Sequence, residues 1–66
     1  MTAKEIGTML RLARVQAGMR QIDLAGLMHT SRSTVARVEA GNNLPQMATL
    51  IRWAEVTGKR LQIKLT

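Results

Sequence analysis

Apolar residues recur three to four positions apart through most of the chain, which is the spacing of one face of a helix. Gly18, Gly41 and Gly58 each follow such a stretch. Glycine is a common helix stop because it adopts the left-handed backbone conformation without strain. The pattern therefore predicts four helices, over residues 2–17, 21–28, 32–40 and 46–57.

Two of these predicted helices begin with residues that suit a helix N-terminus. Thr2 and Glu5 have the spacing of a capping box, in which each side chain accepts a hydrogen bond from the other residue's amide. Ser31 stands directly before the third helix, where a serine hydroxyl accepts a hydrogen bond from the first turn. The sequence thus predicts where both helices start.

The end of the chain has a different pattern. Residues 60–66 alternate polar and apolar, with Leu61, Ile63 and Leu65 on one side, which is typical of a half-buried β-strand. A single strand leaves its backbone groups unpaired, and its simplest partner is the same strand of a second copy. We therefore expect a homodimer paired through this strand, and we expect Trp53, a core residue, to reach the interface with one edge.

Charge indicates the kind of partner. The chain has 10 Lys and Arg residues against 4 Asp and Glu, a net charge of +6 over 66 residues. Such a balance points to an anionic partner, either nucleic acid or a membrane surface. A basic amphipathic helix with aromatic anchors is missing, and no apolar run approaches the ~20 residues of a spanning helix. Lys4 and Glu5 interrupt the stretch where a signal peptide is apolar, so we expect a cytoplasmic protein without a membrane partner.

Size and composition argue against catalysis and cofactors. A domain this small has a thin core and little room for a substrate cavity. The chain has no Cys and a single His, so we expect neither a metal site nor a cofactor. Polar residues that could form a catalytic triad on paper lie on a convex motif without a pocket, and we expect no enzyme. These residues are Asp23, His29, Ser31 and Ser33.

Residues 21–40 have the spacing of a helix-turn-helix. Ala25 supplies a small side chain where the two helices must cross closely. Apolar residues stand at the positions that lock the helix pair together, namely Leu24, Met28, Val35 and Val38. A motif of this length without fixed chemistry is moderately specific.

The similarity extends beyond the motif. Residues 20–25, 31–41, 44–45 and 48–55 resemble the Cro/C1-type helix-turn-helix family, which includes phage repressors, small bacterial regulators and antitoxins of type II toxin–antitoxin operons. The resemblance implies an all-α fold, a four-helix lambda-repressor-like DNA-binding domain over residues 1–58. Residues 59–66 stand where the family has a fifth helix, and we expect them to form the dimerisation strand.

The resemblance also implies site residues. Gln21 would bind a phosphate, and Arg32, Ser33 and Arg37 would contact base edges in the major groove. The full DNA-binding set is Gln21, Ser31, Arg32, Ser33, Thr34, Arg37, Asn42 and Asn43. The family further implies a structural ion pair between Arg14 and Glu39.

Two positions depart from the family pattern. His29 replaces the usual turn glycine, and it tolerates the left-handed conformation better than most residues. Arg20 replaces the Ser or Thr that usually caps the second helix. The sequence does not assign a function to either residue.

Together these features predict a sequence-specific DNA-binding transcriptional regulator. We expect a homodimeric repressor of a palindromic operator, with half-sites roughly 34–36 Å apart, and the antitoxin of a toxin–antitoxin operon is one subtype. The alternative is a protein-interaction module that binds a partner, such as a toxin, through the C-terminal strand.

Overall fold

The computed structural model describes residues 1–66 and contains four helices. They are α1 (Ala3–Gln16), α2 (Gln21–Leu27), α3 (Arg32–Ala40) and α4 (Met47–Val56). Helix α3 packs against α1 and α2, and α4 packs against α1. The four predicted helices are confirmed, with ends that differ by one residue at most.

The predicted helix starts have their expected geometry. The Thr2 hydroxyl accepts a hydrogen bond from the Glu5 amide at 3.1 Å, and the Glu5 carboxylate accepts one from the Thr2 amide at 2.8 Å. The Ser31 hydroxyl accepts a hydrogen bond from the Thr34 amide at 3.2 Å. Each cap satisfies amides that the first helical turn leaves without a partner.

Helices α1 and α3 cross at a glycine. A Cβ atom on Gly7 would lie 2.6 Å from the carbonyl oxygen of Glu39 and 2.7 Å from that of Val38. A side chain at this position would therefore clash with the backbone of α3. Gly7 is buried and sets how closely the two helices approach.

The core is small and centres on Trp53. The buried hydrophobic residues are Leu10, Leu24, Ala25, Val35 and Trp53. The Trp53 indole N–H donates a hydrogen bond to the Leu10 carbonyl at 3.0 Å, which ties α4 to α1. The Trp53 residue is only 1% exposed, so it offers no edge to a dimer partner.

The predicted C-terminal strand is wrong. Residues 59–66 contain no β-strand and are exposed throughout. Leu61, Ile63 and Leu65 are 37%, 60% and 95% exposed. Alternation of polar and apolar residues distinguishes two sides of an extended segment, but a strand also needs a neighbour to accept and donate its ladder hydrogen bonds. The four helices offer no such neighbour, so the fold is all-α.

Candidate nucleic-acid interface

The turn between α2 and α3 is closed by backbone hydrogen bonds. The Thr30 amide donates to the Ala25 carbonyl at 2.9 Å, and the His29 amide donates to the Gly26 carbonyl at 3.3 Å. His29 has a φ of 56°, the left-handed conformation that a glycine would adopt without strain. This turn fixes the direction in which α3 leaves α2.

The start of α3 presents hydroxyl groups and no acid. The Ser31 hydroxyl lies 3.0 Å from the Ser33 hydroxyl and 2.9 Å from the Thr34 hydroxyl. No acidic residue lies in the first turn, and Arg32 and Ser33 are exposed. The positive end of the helix dipole is therefore free to attract an anion.

A buried ion pair lies behind this surface. The Arg14 Nε donates to Glu39 Oε2 at 2.6 Å, and Nη2 donates to Oε1 at 3.0 Å. The Arg14 Nη1 also donates to the Met19 carbonyl at 2.7 Å. Exposed fractions of the two side chains are only 10% and 3%. This two-point contact, the pair expected from the resemblance, joins α1 to the end of α3.

Gln21 connects the ion pair to the exposed surface. Its Nε2 donates to Glu39 Oε1 at 3.1 Å, and its Oε1 accepts from Arg32 Nη1 at 2.8 Å. The family resemblance implied a phosphate contact for Gln21, and nothing in the sequence indicated these partners, which lie 18 and 11 positions away. Only the packing of α2 against α3 brings them together.

The remaining predicted DNA contacts are spread along α3 and the loop after it. The Arg37 side chain is exposed and forms no hydrogen bond or ion pair within the chain, whereas the Arg37 carbonyl accepts a hydrogen bond from the Asn42 amide at 3.3 Å. Asn42 and Asn43 are exposed in the loop after α3. The structure therefore clusters Ser31, Arg32, Ser33 and Thr34 at one end of α3, with Gln21 beside Arg32.

Sequence reasoning missed a second capping box, at the start of α2. The Arg20 amide donates to the Asp23 carboxylate at 2.8 Å, and the Arg20 guanidinium donates to the same carboxylate at 2.9 and 3.0 Å. These hydrogen bonds from Arg20 hold the pKa of Asp23 below its usual value, and the carboxylate raises the pKa of Arg20. The spacing of Arg20 and Asp23 is that of a capping box, which was the available signal.

Comparison of the sequence with known protein families shows to which family of proteins the chain belongs. A family model described as helix-turn-helix matches residues 10–64, which includes α2, the turn and α3. The chain belongs to the Cro/C1-type helix-turn-helix family. Members of the Cro/C1-type family are DNA-binding regulators, and this chain is a DNA-binding regulator of that type. A search of curated proteins finds no match.

Two further observations concern other kinds of site. None of the helices of this Cro/C1-type protein has the length and apolar character that crossing a membrane requires. No group of three or more His, Cys, Asp or Glu residues is placed to hold a metal ion.

Proposed function

We propose that this regulator binds a palindromic operator as a homodimer and represses transcription by blocking access to a promoter. The observation that carries the proposal is the exposed start of α3, where Arg32 and Ser33 stand beside an uncompensated helix N-terminus. Each protomer would insert α3 into the major groove, with half-sites about 34–36 Å apart. Residues 1–58 would form the DNA-binding domain and residues 59–66 a dimerisation segment.

The DNA contacts divide between bases and backbone. Arg32, Ser33 and Arg37 would contact base edges, because arginine forms two-point hydrogen bonds with guanine. Ser31 and Thr34 would contact the backbone or the edge of the site. Gln21, Asn42 and Asn43 would bind phosphates, and one N–H of the Gln21 amide has no partner in the chain.

Net charge supports a large electrostatic contribution. Each chain carries +6, so a dimer carries twice that charge. Each phosphate that a cation neutralises releases counterions, which makes binding weaken steeply as salt rises. Lys59, Arg60 and Lys64 would add phosphate contacts or keep the tail soluble.

The dimer proposal depends on apolar side chains at the end of the chain. Leu61 and Ile63 line an open groove together with Met47 and Ile51 of α4. All four are at least 37% exposed, and Leu65 beyond them is 95% exposed. A small domain with so few buried residues gains stability when a second copy covers such a surface. Trp53 supports this face of α4 from within the core.

Selection from a pool of randomised DNA duplexes at physiological salt tests the proposal. We expect enrichment of an inverted repeat with half-sites one helical turn apart. Retention without any enriched sequence, vanishing as salt rises, would show that binding depends on charge alone. The Arg32→Ala and Arg37→Ala double variant should lose the enriched sequence, and the regulator proposal fails if DNA binding and repression both persist in it.

We also propose that the regulator acts as the antitoxin of a toxin–antitoxin operon. Two features support this subtype: the family includes such antitoxins, and Leu12 and Val15 of α1, which lie outside the groove assigned to the second copy, are 54% and 51% exposed and leave apolar surface for another protein. The test is whether the product of the adjacent gene arrests growth and co-purifies with this chain as a defined complex that relieves the arrest. An adjacent product that is harmless and does not bind would contradict the subtype.

A further inference from the structure

Four side chains form a continuous hydrogen-bonded series from the core to the exposed start of α3. Glu39 Oε1 accepts from two donors, Arg14 Nη2 at 3.0 Å and Gln21 Nε2 at 3.1 Å. Gln21 Oε1 then accepts from Arg32 Nη1 at 2.8 Å. The first two members of the series, Arg14 and Glu39, are buried, whereas Arg32 is exposed.

The chemistry of these groups fixes the direction of the Gln21 amide. An ionised carboxylate only accepts hydrogen bonds and a guanidinium only donates them. The nitrogen of the Gln21 amide must therefore face Glu39, and its oxygen must face Arg32. Arg14 donates two hydrogen bonds to the Glu39 carboxylate, which therefore acts as an acceptor, and the Gln21 amide cannot turn round without losing both of its own hydrogen bonds.

We infer that Glu39 is a positioning residue for DNA recognition, which acts through Gln21 to hold the Arg32 guanidinium in its DNA-reading orientation. The inference rests on the proposed function, in which Arg32 contacts bases. A guanidinium has five N–H groups, so those not bonded to Gln21 remain free for a base. Holding a long side chain before binding reduces the conformational entropy that binding removes.

Arg37 provides a matched comparison on the same helix. Its side chain is exposed, like that of Arg32, but has no hydrogen-bond partner in the chain. Its orientation is therefore independent of Gln21 and Glu39. If the series positions Arg32, changes at Gln21 should act on the contribution of Arg32 to binding and leave that of Arg37 unaffected.

A double-mutant cycle separates positioning from a phosphate contact by Gln21. The substitution Gln21→Met removes both amide hydrogen bonds, keeps the length of the side chain and leaves the Arg14–Glu39 pair in place. Its effect on affinity for the duplex selected by the wild-type protein is measured in three backgrounds: wild type, Arg32→Ala and Arg37→Ala. A lost phosphate contact weakens binding equally in all three.

The positioning role predicts unequal effects. Gln21→Met should weaken binding at least about threefold more in the wild-type background than in the Arg32→Ala background. In the Arg37→Ala background its effect should match that in wild type within about twofold. Equal effects in all three backgrounds would overturn the positioning role while the proposed function stands. A wild-type protein that selects no sequence would overturn both.

Glu39→Gln tests the role of Glu39 itself. The glutamine keeps the shape of the side chain but can also donate, so the Gln21 amide is no longer held in one direction. We expect the base preference that Arg32→Ala abolishes to weaken in both Glu39→Gln and Gln21→Met. Affinity for an unrelated duplex and the thermal unfolding curve are measured for each variant. Equal loss of affinity for selected and unrelated duplexes in Glu39→Gln would mean a structural role only, and would overturn the inference.

Discussion

His29 is the one non-glycine residue with a positive φ, and it stands in the turn that aims α3. Glycine adopts this conformation without the ~1–2 kcal/mol that an ordinary side chain costs, although it loses ~0.5–1 kcal/mol through greater freedom in the unfolded chain. We therefore expect His29→Gly to raise the free energy of unfolding slightly, by about 0.5 kcal/mol. His29→Ala should lower it, and equal stability of the two variants in urea unfolding would contradict strain at this turn.

The buried pair of Arg14 and Glu39 predicts a much larger effect. Arg14→Leu leaves the Glu39 carboxylate buried without its cation, a change that typically costs about 3–5 kcal/mol. Arg11, three residues earlier on α1, is exposed, and Arg11→Leu should stay within about 0.5 kcal/mol of wild type. Thermal unfolding followed by circular dichroism measures both. Similar melting temperatures for the two variants would show that the pair adds little to stability.

At the scale of elements, two glycines predict opposite outcomes for the same substitution. A methyl group on Gly7 would meet the Glu39 carbonyl at 2.6 Å, so Gly7→Ala should push α1 away from α3 and destabilise the fold by about 1–3 kcal/mol. Gly26 lies within α2, and a methyl group there would meet no heavy atom of another element within 4 Å. Gly26→Ala should stabilise the fold by about 0.5–1 kcal/mol through helix propensity. Urea unfolding tests the difference in sign.

The two acidic caps predict how helix stability depends on pH. The hydrogen bond from the Thr2 amide lowers the pKa of Glu5, and the hydrogen bonds from the Arg20 side chain and amide lower the pKa of Asp23. A carboxylate whose pKa is lower in the folded state stabilises the fold above its unfolded pKa, which is about 4 for both types. That contribution is lost as the pH falls through the folded pKa. The melting temperature should therefore fall below about pH 4, and less so in the Glu5→Gln and Asp23→Asn double variant.

The elements show what sequence reasoning can and cannot find here. Helical spacing, caps and glycine stops depend on neighbouring residues, so all four helices could be predicted. The conformation of residues 59–66 could not be predicted, because the alternation of Leu61, Ile63 and Leu65 with polar residues carries no information on whether a neighbouring strand exists. The contacts of Gln21 with Glu39 and Arg32 could not be predicted from the sequence either, since they depend on how α2 packs on α3.

At the scale of the whole molecule, the dimer proposal predicts sensitivity at the end of the chain. Ile63 is 60% exposed and lines the groove beside α4, whereas Ile22 is 52% exposed on α2 and lines no groove near the tail. Ile63→Lys should shift the sedimentation coefficient toward that of a monomer, because a charge in an apolar interface is costly. Ile22→Lys should leave it unchanged. A wild-type protein that sediments as a monomer at high concentration would contradict the dimer.

Trp53 gives the molecule a built-in optical probe. It is the only aromatic residue of the chain, since Phe and Tyr are both absent. Its indole is buried and bonded to the Leu10 carbonyl, so the ultraviolet fluorescence of the protein comes from one site in the core. Unfolding exposes this indole to water and shifts its emission to longer wavelength. Fluorescence therefore reports the integrity of the α1–α4 contact from a single residue, without any label.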